Sequence, residues 1–445
     1  MKVLFISLGC DKNLVDTEKM LGQLLEHGHS FTDSEEDADA VVVNSCCFIG
    51  DAKEESIQNI LEMAELKKSG QMKALLVCGC LAQRYREEIQ KEIPEVDEVL
   101  GTMATDKIVE ALEQAVAGNT GCYLGALDTL PLAEGRRVVT TGGHYAYLKI
   151  AEGCDKHCTY CIIPKVRGDY RSIPMEKLVD EAQKLAENGV KELILVAQET
   201  TLYGTDLYGR KALPELLQKL ESIPGLVWIR ILYCYPEEIN EELVKAIRDS
   251  SKVCHYLDIP IQHASDNVLH RMGRKTSEEQ LRQTIGYLRK EIPDIALRTT
   301  LISGFPGETQ EDFEELYRFV NEMEFERLGV FPYSAEEDTP AATMADQVPD
   351  EVKNFRRDEL MELQQEIAFE KAENMVGRRL LAMIEGKVAE DDVYVARTYM
   401  DAPGVDGLLF LRTEKQLMTG DFVRVVVTGS NEYDLIGEVD DEFTE

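Results

Sequence analysis

The chain has 445 residues, eleven of them cysteine, and carries 83 acidic against 48 basic side chains, a formal net charge of −35. That length allows about three domains with substantial cores, and no run approaches the roughly 18 apolar residues of a membrane span. A surface this acidic repels duplexes and tRNA at long range and draws basic proteins, which weighs against a nucleic-acid reader.

The opening MKVLFISLGC is too short for a signal peptide and has no cleavage site, so a cytoplasmic protein with no membrane association is expected. In that compartment eleven cysteines point to metal or redox chemistry rather than to a disulfide framework. Apolar strands at 3–8, 40–44 and 74–77 alternate with helical stretches at 16–27, 52–68 and 83–92, the pattern of a parallel sheet covered by helices. Cys10, Cys46 and Cys80 each follow one of those strands. Ligand sites form along the carboxyl edge of such a sheet, so three thiols distant in sequence are expected to converge there. A lone cysteine is more often a small buried hydrophobe; three at equivalent strand ends favour a metal site. Cys47 and Cys78 stand beside two of them, and sequence alone does not rank Cys46 over Cys47 or Cys80 over Cys78.

From about 145 to 334, strand and helix alternate six times, with strands at 145–150, 192–197, 227–233, 256–261, 297–303 and 328–333. A partial, open barrel is the economical architecture for six such units, and barrels of this kind carry chemistry on the loops after their strands. The loop after the first strand reads EGCDKHCTYCIIPKVRG and holds Cys154, Cys158 and Cys161 in a C-x3-C-x2-C pattern. Zinc sites usually take two separated ligand pairs and close with four donors, and recruiting His157 as the fourth would crowd all donors into eight residues. Iron–sulfur clusters are built on thiolates, and a cubane held by three leaves one iron open to another ligand.

A charged helix at 350–375 follows, with Val352, Phe355, Leu360, Leu363 and Ile367 at roughly helical spacing and expected to pack down. The tail, with RLLAMIEG, VYVAR, GLLFLR and DFVRVVVTG separated by turn signals, reads as a small all-β barrel. From Gly377 onward there are 15 acidic and 7 basic residues, a net of −8. The expected fold class is therefore α/β with three units: an N-terminal open parallel α/β domain at 1–118, a central partial (β/α)6 barrel with its trailing helix at 140–373, and the β barrel at 376–445.

The three-cysteine loop resembles the signature of radical S-adenosylmethionine enzymes, whose open iron chelates the amino and carboxylate groups of the methionine moiety; Tyr160 fits the aromatic position before the last cysteine. Over nearly the whole chain the sequence is similar to the methylthiotransferases of that superfamily, through GCDKNLVDTE, NSCCFI, GCLAQRY, YLKIAEGCDKHCTYCIIPKVRG, YLDIPIQHAS and RTTLISGFPGET. The tail looks like the family's TRAM domain. The resemblance implies two [4Fe-4S] clusters, one on Cys154, Cys158 and Cys161 and one on Cys10, Cys46 and Cys80, together with S-adenosylmethionine and an external electron donor. It places Gly304, Pro306 and Gly307 of SGFPGE, with Tyr160, near the adenosylmethionine. Arg298 is expected either to reach the cofactor's carboxylate or to pair with a carboxylate inside the barrel. Gln198 and His263 sit at strand ends with no assigned role. The family usually has glycine at the position of Cys47 and aspartate at that of Glu199.

Within the family, one branch modifies tRNA adenosines and typically reads GCQMN, whereas the branch acting on an aspartate of ribosomal protein S-twelve reads GCDKNLVD, as at residues 9–16 here; DAPGVDG at 401–407 also looks like that branch. The implied reaction is methylthiolation of the aspartate β-carbon, with hydrogen abstraction by a 5′-deoxyadenosyl radical and sulfur supplied from the N-terminal cluster. Such an unactivated C–H bond lies beyond acid–base catalysis. The implied partner is the basic S-twelve protein, free or in the small subunit. A tRNA methylthiotransferase is the alternative, disfavoured by charge, and a non-catalytic iron–sulfur electron carrier is the alternative of another class.

Overall fold

The computed structural model describes residues 1–130, 135–389 and 392–440, so the last five residues of the expected tail lie outside the described residues. In the N-terminal unit, β1 (Lys2–Ser7), β2 (Ser30–Thr32), β3 (Ala40–Ser45), β4 (Ala74–Gly79), β5 (Glu98–Leu100) and β6 (Gly121–Tyr123) form one parallel sheet in the order β2-β1-β3-β4-β5-β6. Its central strands are apolar on both faces because helices cover both. Ile60 and Met63 meet Val41, Val43 and Val77 on one side; Met20, Leu24 and Leu112 meet Val3, Val42 and Leu76 on the other. The sequence pattern anticipates β1, β3 and β4 but not the three-residue edge strands, which are too short to show a period. The helix expected at 83–92 is two, Cys80–Tyr85 and Glu87–Glu92, broken at Arg86 with φ 51°.

β7 (Tyr145–Lys149) opens the central unit, followed by a short antiparallel ribbon of β8 (Ala151–Glu152) and β9 (Arg171–Ser172). β10 (Glu192–Val196), β11 (Trp228–Ile231), β12 (Val253–Asp258), β13 (Ala296–Ser303) and β14 (Arg327–Pro332) complete an open parallel sheet ordered β14-β13-β12-β11-β10-β7, the expected six-strand partial barrel. Helices cover its outer face, where Leu193, Leu195, Ile229, Leu257 and Leu297 are buried.

The helix Asp350–Glu373 leads to β15 (Arg379–Lys387), β16 (Val393–Thr398), β17 (Leu409–Arg412), β18 (Phe422–Asn431) and β19 (Asp434–Val439), a closed barrel ordered β15-β16-β17-β19-β18. Leu360, Leu363 and Ile367 pack down as expected, but Phe355 is 59% exposed. The inward stripe of that first turn is instead Lys353 and Arg356, the latter bonded to Glu308 at 2.8 Å.

Strand alternation decides how the last unit docks. Ile194 and Val196 of β10 point opposite to Leu193 and Leu195, and with Trp228, Tyr256 and Ala296 they join a core with Met383, Ile384, Leu409, Leu411 and Val425 of the terminal barrel. Each such side chain contributes about 1.5–3 kcal/mol when fully buried. A buried ion cluster accompanies it: Glu192 accepts from Arg230 Nε at 2.7 Å and from Arg397 Nη2 at 2.5 Å.

Candidate functional site

Cys10, Cys46 and Cys80 directly follow β1, β3 and β4 at the carboxyl edge of the sheet. The approach is close: Gly9 has φ 87°, and a Cβ there would lie 2.8 Å from Cys46 Sγ, so only glycine fits. Burial pushes the Cys46 thiol up to about 12, with Cys80 and Cys10 adding to the effect; burial likewise raises Cys80, again with Cys10 contributing. Cys46 thus feels both Cys80 and Cys10, and Cys80 feels Cys10. Cys47 is fully buried against Ile60, Val77 and Leu81, and its field comes from Cys80, Arg84 and Cys46. Cys78 is fully buried on the opposite face with Leu76 and Leu112. Cys10 figures in the surroundings of Cys46 and Cys80 but not in those of Cys47 or Cys78, which favours the first two as its partners.

Cys154, Cys158 and Cys161 lie on the loop that the β8–β9 ribbon closes. Cys161 N donates to Cys158 O at 3.0 Å, and Cys158 Sγ lies 3.5 Å from Tyr235 Oη. Burial raises Cys154 to about 12 and raises Cys161, with Cys158 the next contributor for Cys161. His157 is exposed, with φ 50°, and stands outside this group. Arg274, whose guanidinium is 4.2 Å above the Tyr235 ring, was not anticipated. Among the described residues no three His, Cys, Asp or Glu side chains already converge as one metal ion would draw them. Two sets of three thiols are the donor chemistry of iron–sulfur clusters rather than of a tetrahedral zinc.

Tyr160 meets Phe305 edge to face at 6.3 Å, and Phe305 meets Tyr333 at 5.2 Å, giving an aromatic wall beside the second triplet. Gly304 has φ 69°, and a Cβ there would meet Lys353 Cγ at 2.2 Å, so helix packing alone accounts for this glycine. Arg298 pairs with Asp258 at 3.0 Å and Asp406 at 3.3 Å. His263 is fully buried, its Nδ1 accepting from Ser265 N at 2.9 Å.

A buried polar network spans the two units that carry the triplets. Arg167 donates to Asp16 at 2.8 Å, to Glu152 at 3.1 Å and to Asn13; Lys149 donates to Glu152 at 2.7 Å and to Asp16. Gln198 Nε2 reaches the other Glu152 oxygen at 2.9 Å. Burial pushes the Glu152 carboxyl up, but Arg167 and Lys149 hold it well below the usual carboxylate range. Asn13 Oδ1 lies 3.7 Å from Cys80 Sγ, so the network reaches the first triplet, and Glu152 stands two residues before Cys154, at the base of the loop that carries the second. Its available signal was Lys149 inside the otherwise apolar YLKIA.

A cavity of about 340 Å³ lies at the junction of all three units, lined by Cys10 and Asp11, by Tyr233 and Arg298, and by Pro403 and Val405. GCDKN and DAPGVDG, 390 residues apart in the chain, meet at its wall.

This architecture, an α/β domain bearing thiols, a six-strand open barrel with a three-cysteine loop, and a small closed β barrel, is that of a radical S-adenosylmethionine enzyme with an accessory domain at each end. Residues 148–320 match the radical SAM superfamily, 2–101 the uncharacterized protein family UPF0004 and 376–439 the TRAM domain. The chain is 63% identical to the ribosomal protein uS12 methylthiotransferase RimO of Lachnoclostridium phytofermentans, covering 98% of this chain and 99% of that protein. It is 48% identical to the protein of the same name from Thermoanaerobacter sp., covering 97% and 98%. Among solved structures it resembles the radical S-adenosylmethionine methyltransferase TsrM of Kitasatospora setae, with TM-score 0.54, 14% identity and 76% of each chain covered, a likeness of fold. The chain belongs to the RimO family of radical S-adenosylmethionine methylthiotransferases. No helix among the described residues is long and apolar enough to cross a membrane.

Proposed function

We propose that this enzyme methylthiolates the β-carbon of an aspartate in ribosomal protein uS12, acting in the cytoplasm on the free protein or the small subunit and drawing electrons from an external donor. The observation that supports the reading is a buried network that links the unit bearing Cys10, Cys46 and Cys80 to the strand just before Cys154, with a cavity beside Cys10 where the three units meet. Cys154, Cys158 and Cys161 would hold the cluster that engages S-adenosylmethionine, and Cys10, Cys46 and Cys80 the cluster that serves sulfur transfer, within units at 1–118 and 140–373, followed by the TRAM unit at 376–445. Bound there, these groups supply radical formation and sulfur delivery, chemistry that no side chain of the protein offers.

The protein's own part is positioning and exclusion of water. Tyr160, Phe305 and Tyr333 wall the cofactor side with apolar rings. Arg167, through Asn13, Asp16 and Glu152, ties the helix Asp11–Glu26 that follows Cys10 to β8, just before Cys154, and so helps fix the two units relative to one another. The acidic surface suits a basic ribosomal partner better than tRNA.

The test is anaerobic turnover of the reconstituted, reduced enzyme with S-adenosylmethionine and sulfide, offered small ribosomal subunits and unmodified tRNA together, read by mass spectrometry. The expected product is methylthio-aspartate on uS12; methylthio-adenosine in tRNA with uS12 untouched would overturn the substrate assignment. Replacing Cys10, Cys46 and Cys80 together with alanine should preserve adenosylmethionine cleavage and abolish sulfur transfer, whereas replacing Cys154, Cys158 and Cys161 should abolish cleavage. Loss of cleavage in the first variant would defeat the division of labour, and any cleavage by the intact enzyme excludes a mere electron carrier.

A further inference from the structure

The cavity between Cys10 and the terminal barrel has a charge pattern that its own walls leave incomplete. Asp11 uses only one carboxylate oxygen: Oδ1 takes the Tyr233 hydroxyl at 3.0 Å and the Lys12 ammonium at 3.1 Å. Oδ2 is buried without a hydrogen-bond partner among the described residues, on a side chain 8% exposed that lines the cavity. The other carboxylates here are satisfied. Asp258 accepts from Tyr233 N at 3.1 Å and from Arg298 at 3.0 Å; Asp406 accepts from Tyr256 Oη at 2.7 Å and Ala402 N at 2.8 Å and faces Arg298 at 3.3 Å. Three carboxylates, Asp11, Asp258 and Asp406, thus stand against two cations, Lys12 and Arg298, one negative charge in excess, and a ligating Cys10 thiolate adds to it. A backbone amide donated to Asp11 Oδ2 would leave that excess buried; a cation would cancel it. On the same wall Val405 is 61% exposed, so the cavity has an open rim on the terminal barrel.

We propose that Asp11 is a specificity-determining residue, receiving through Oδ2 a cationic side chain that flanks the target aspartate of the substrate protein. The inference rests on the reading of uS12 as substrate and adds what the site reads beside the reacting residue. A buried carboxylate oxygen without a donor is costly, and charge-assisted hydrogen bonds are the strong ones, so the bound substrate relieves a penalty that the free enzyme carries. Binding strength then depends on a lysine or arginine next to the target, and a loop with the same aspartate between neutral neighbours is discriminated against.

The test uses the reconstituted full-length enzyme and two peptides spanning the target aspartate of uS12, one native and one with any lysine or arginine near that aspartate replaced by glutamine. Kd comes from anisotropy of the labelled peptide, and kcat and KM from methylthio-aspartate formation. The expected result is that the neutral peptide loses on the order of tenfold to a hundredfold in Kd and KM with wild-type enzyme. Asp11→Asn loses a similar factor with the native peptide and little more with the neutral one, because both changes remove the same contact. The peptide comparison on wild-type enzyme stands even where Asp11→Asn fails to retain its iron. Equal Kd for the two peptides, or losses that multiply in the double combination, would overturn the assignment. If the wild-type enzyme makes no methylthio-aspartate on uS12 in peptide, free protein or subunit, the substrate reading itself falls and the Asp11 assignment falls with it.

Discussion

Glu199 shows how a single residue here trades stability for its surroundings. Its Oε1 takes the Thr201 amide at 2.8 Å and the Thr201 hydroxyl, while Oε2 is buried without a partner among the described residues. Burial pushes its carboxyl up from 4.5 to about 7, against the lowering influence of Thr201 and Lys156. The folded value lies above the unfolded one, so between pH 4.5 and 7 the native state binds more proton than the unfolded chain and stability falls as pH rises through that window. Glu199→Gln keeps the acceptor for Thr201 and cannot ionise. We expect its melting temperature to match wild type near pH 5 and exceed it at pH 8, by the equivalent of up to about 3 kcal/mol; a variant less stable than wild type at pH 8 would contradict this. At this scale the sequence was legible in type but not in direction. Cys46 and Cys47 are adjacent identical residues, and only the turn after β3 distinguishes them: Cys46 feels both Cys80 and Cys10, whereas Cys47 packs against Ile60 and feels Cys80 but not Cys10. The pairing of Arg298 with a carboxylate depends on barrel register, Asp258 opposite Arg298, which no local pattern encodes.

Elements were legible where a period could be counted. The six long strands of the central unit and the helices between them emerge from apolar runs and turn signals, whereas β8 and β9, two residues each, carry no period and yet close the three-cysteine loop. The first turn of Asp350–Glu373 misleads for a different reason: Lys353 and Arg356 bury their stems and pair their heads, so they occupy the inward stripe that Phe355 was expected to take. Charged residues on buried strands are the other feature that hydrophobic patterning passes over. Glu192 of β10 bridges Arg230 of β11 and Arg397 of β16, all three at most 2% exposed, and so ties the central sheet to the terminal barrel. Removing the anion would leave Arg230 buried without its carboxylate and Arg397 with Glu385 alone. Glu192→Gln should therefore cost about 3–5 kcal/mol, read as a drop in thermal melting together with faster proteolysis between 373 and 379; an unchanged melt would show that the apolar seam around Trp228 and Phe422, 4.8 Å apart, suffices alone.

Across the whole molecule, the terminal barrel docks on the inner face of the open central sheet while the N-terminal unit meets its carboxyl edge, leaving the shared cavity where the three come together. None of that arrangement is written in local periodicity, because it depends on long-range pairs such as Arg327 with Asp401 and Arg84 with Glu336. Net charge is the one property of the whole that sequence states outright, and it makes a kinetic claim. A body carrying −35 attracts a basic protein over distances that salt controls: the screening length is about 10 Å at 0.1 M and about 3 Å at 1 M. Steering of this kind acts on encounter, whereas contacts inside the cavity act on dissociation and on the bound complex. Raising ionic strength from about 0.05 to 0.5 M should therefore lower kcat/KM for intact uS12 by roughly tenfold, leave kcat at saturation nearly constant, and leave cleavage of adenosylmethionine without protein substrate unchanged. A kcat/KM insensitive to salt would mean that the acidic surface serves solubility alone. A kcat/KM that rises with salt would mean that the surface repels the substrate, as it would tRNA.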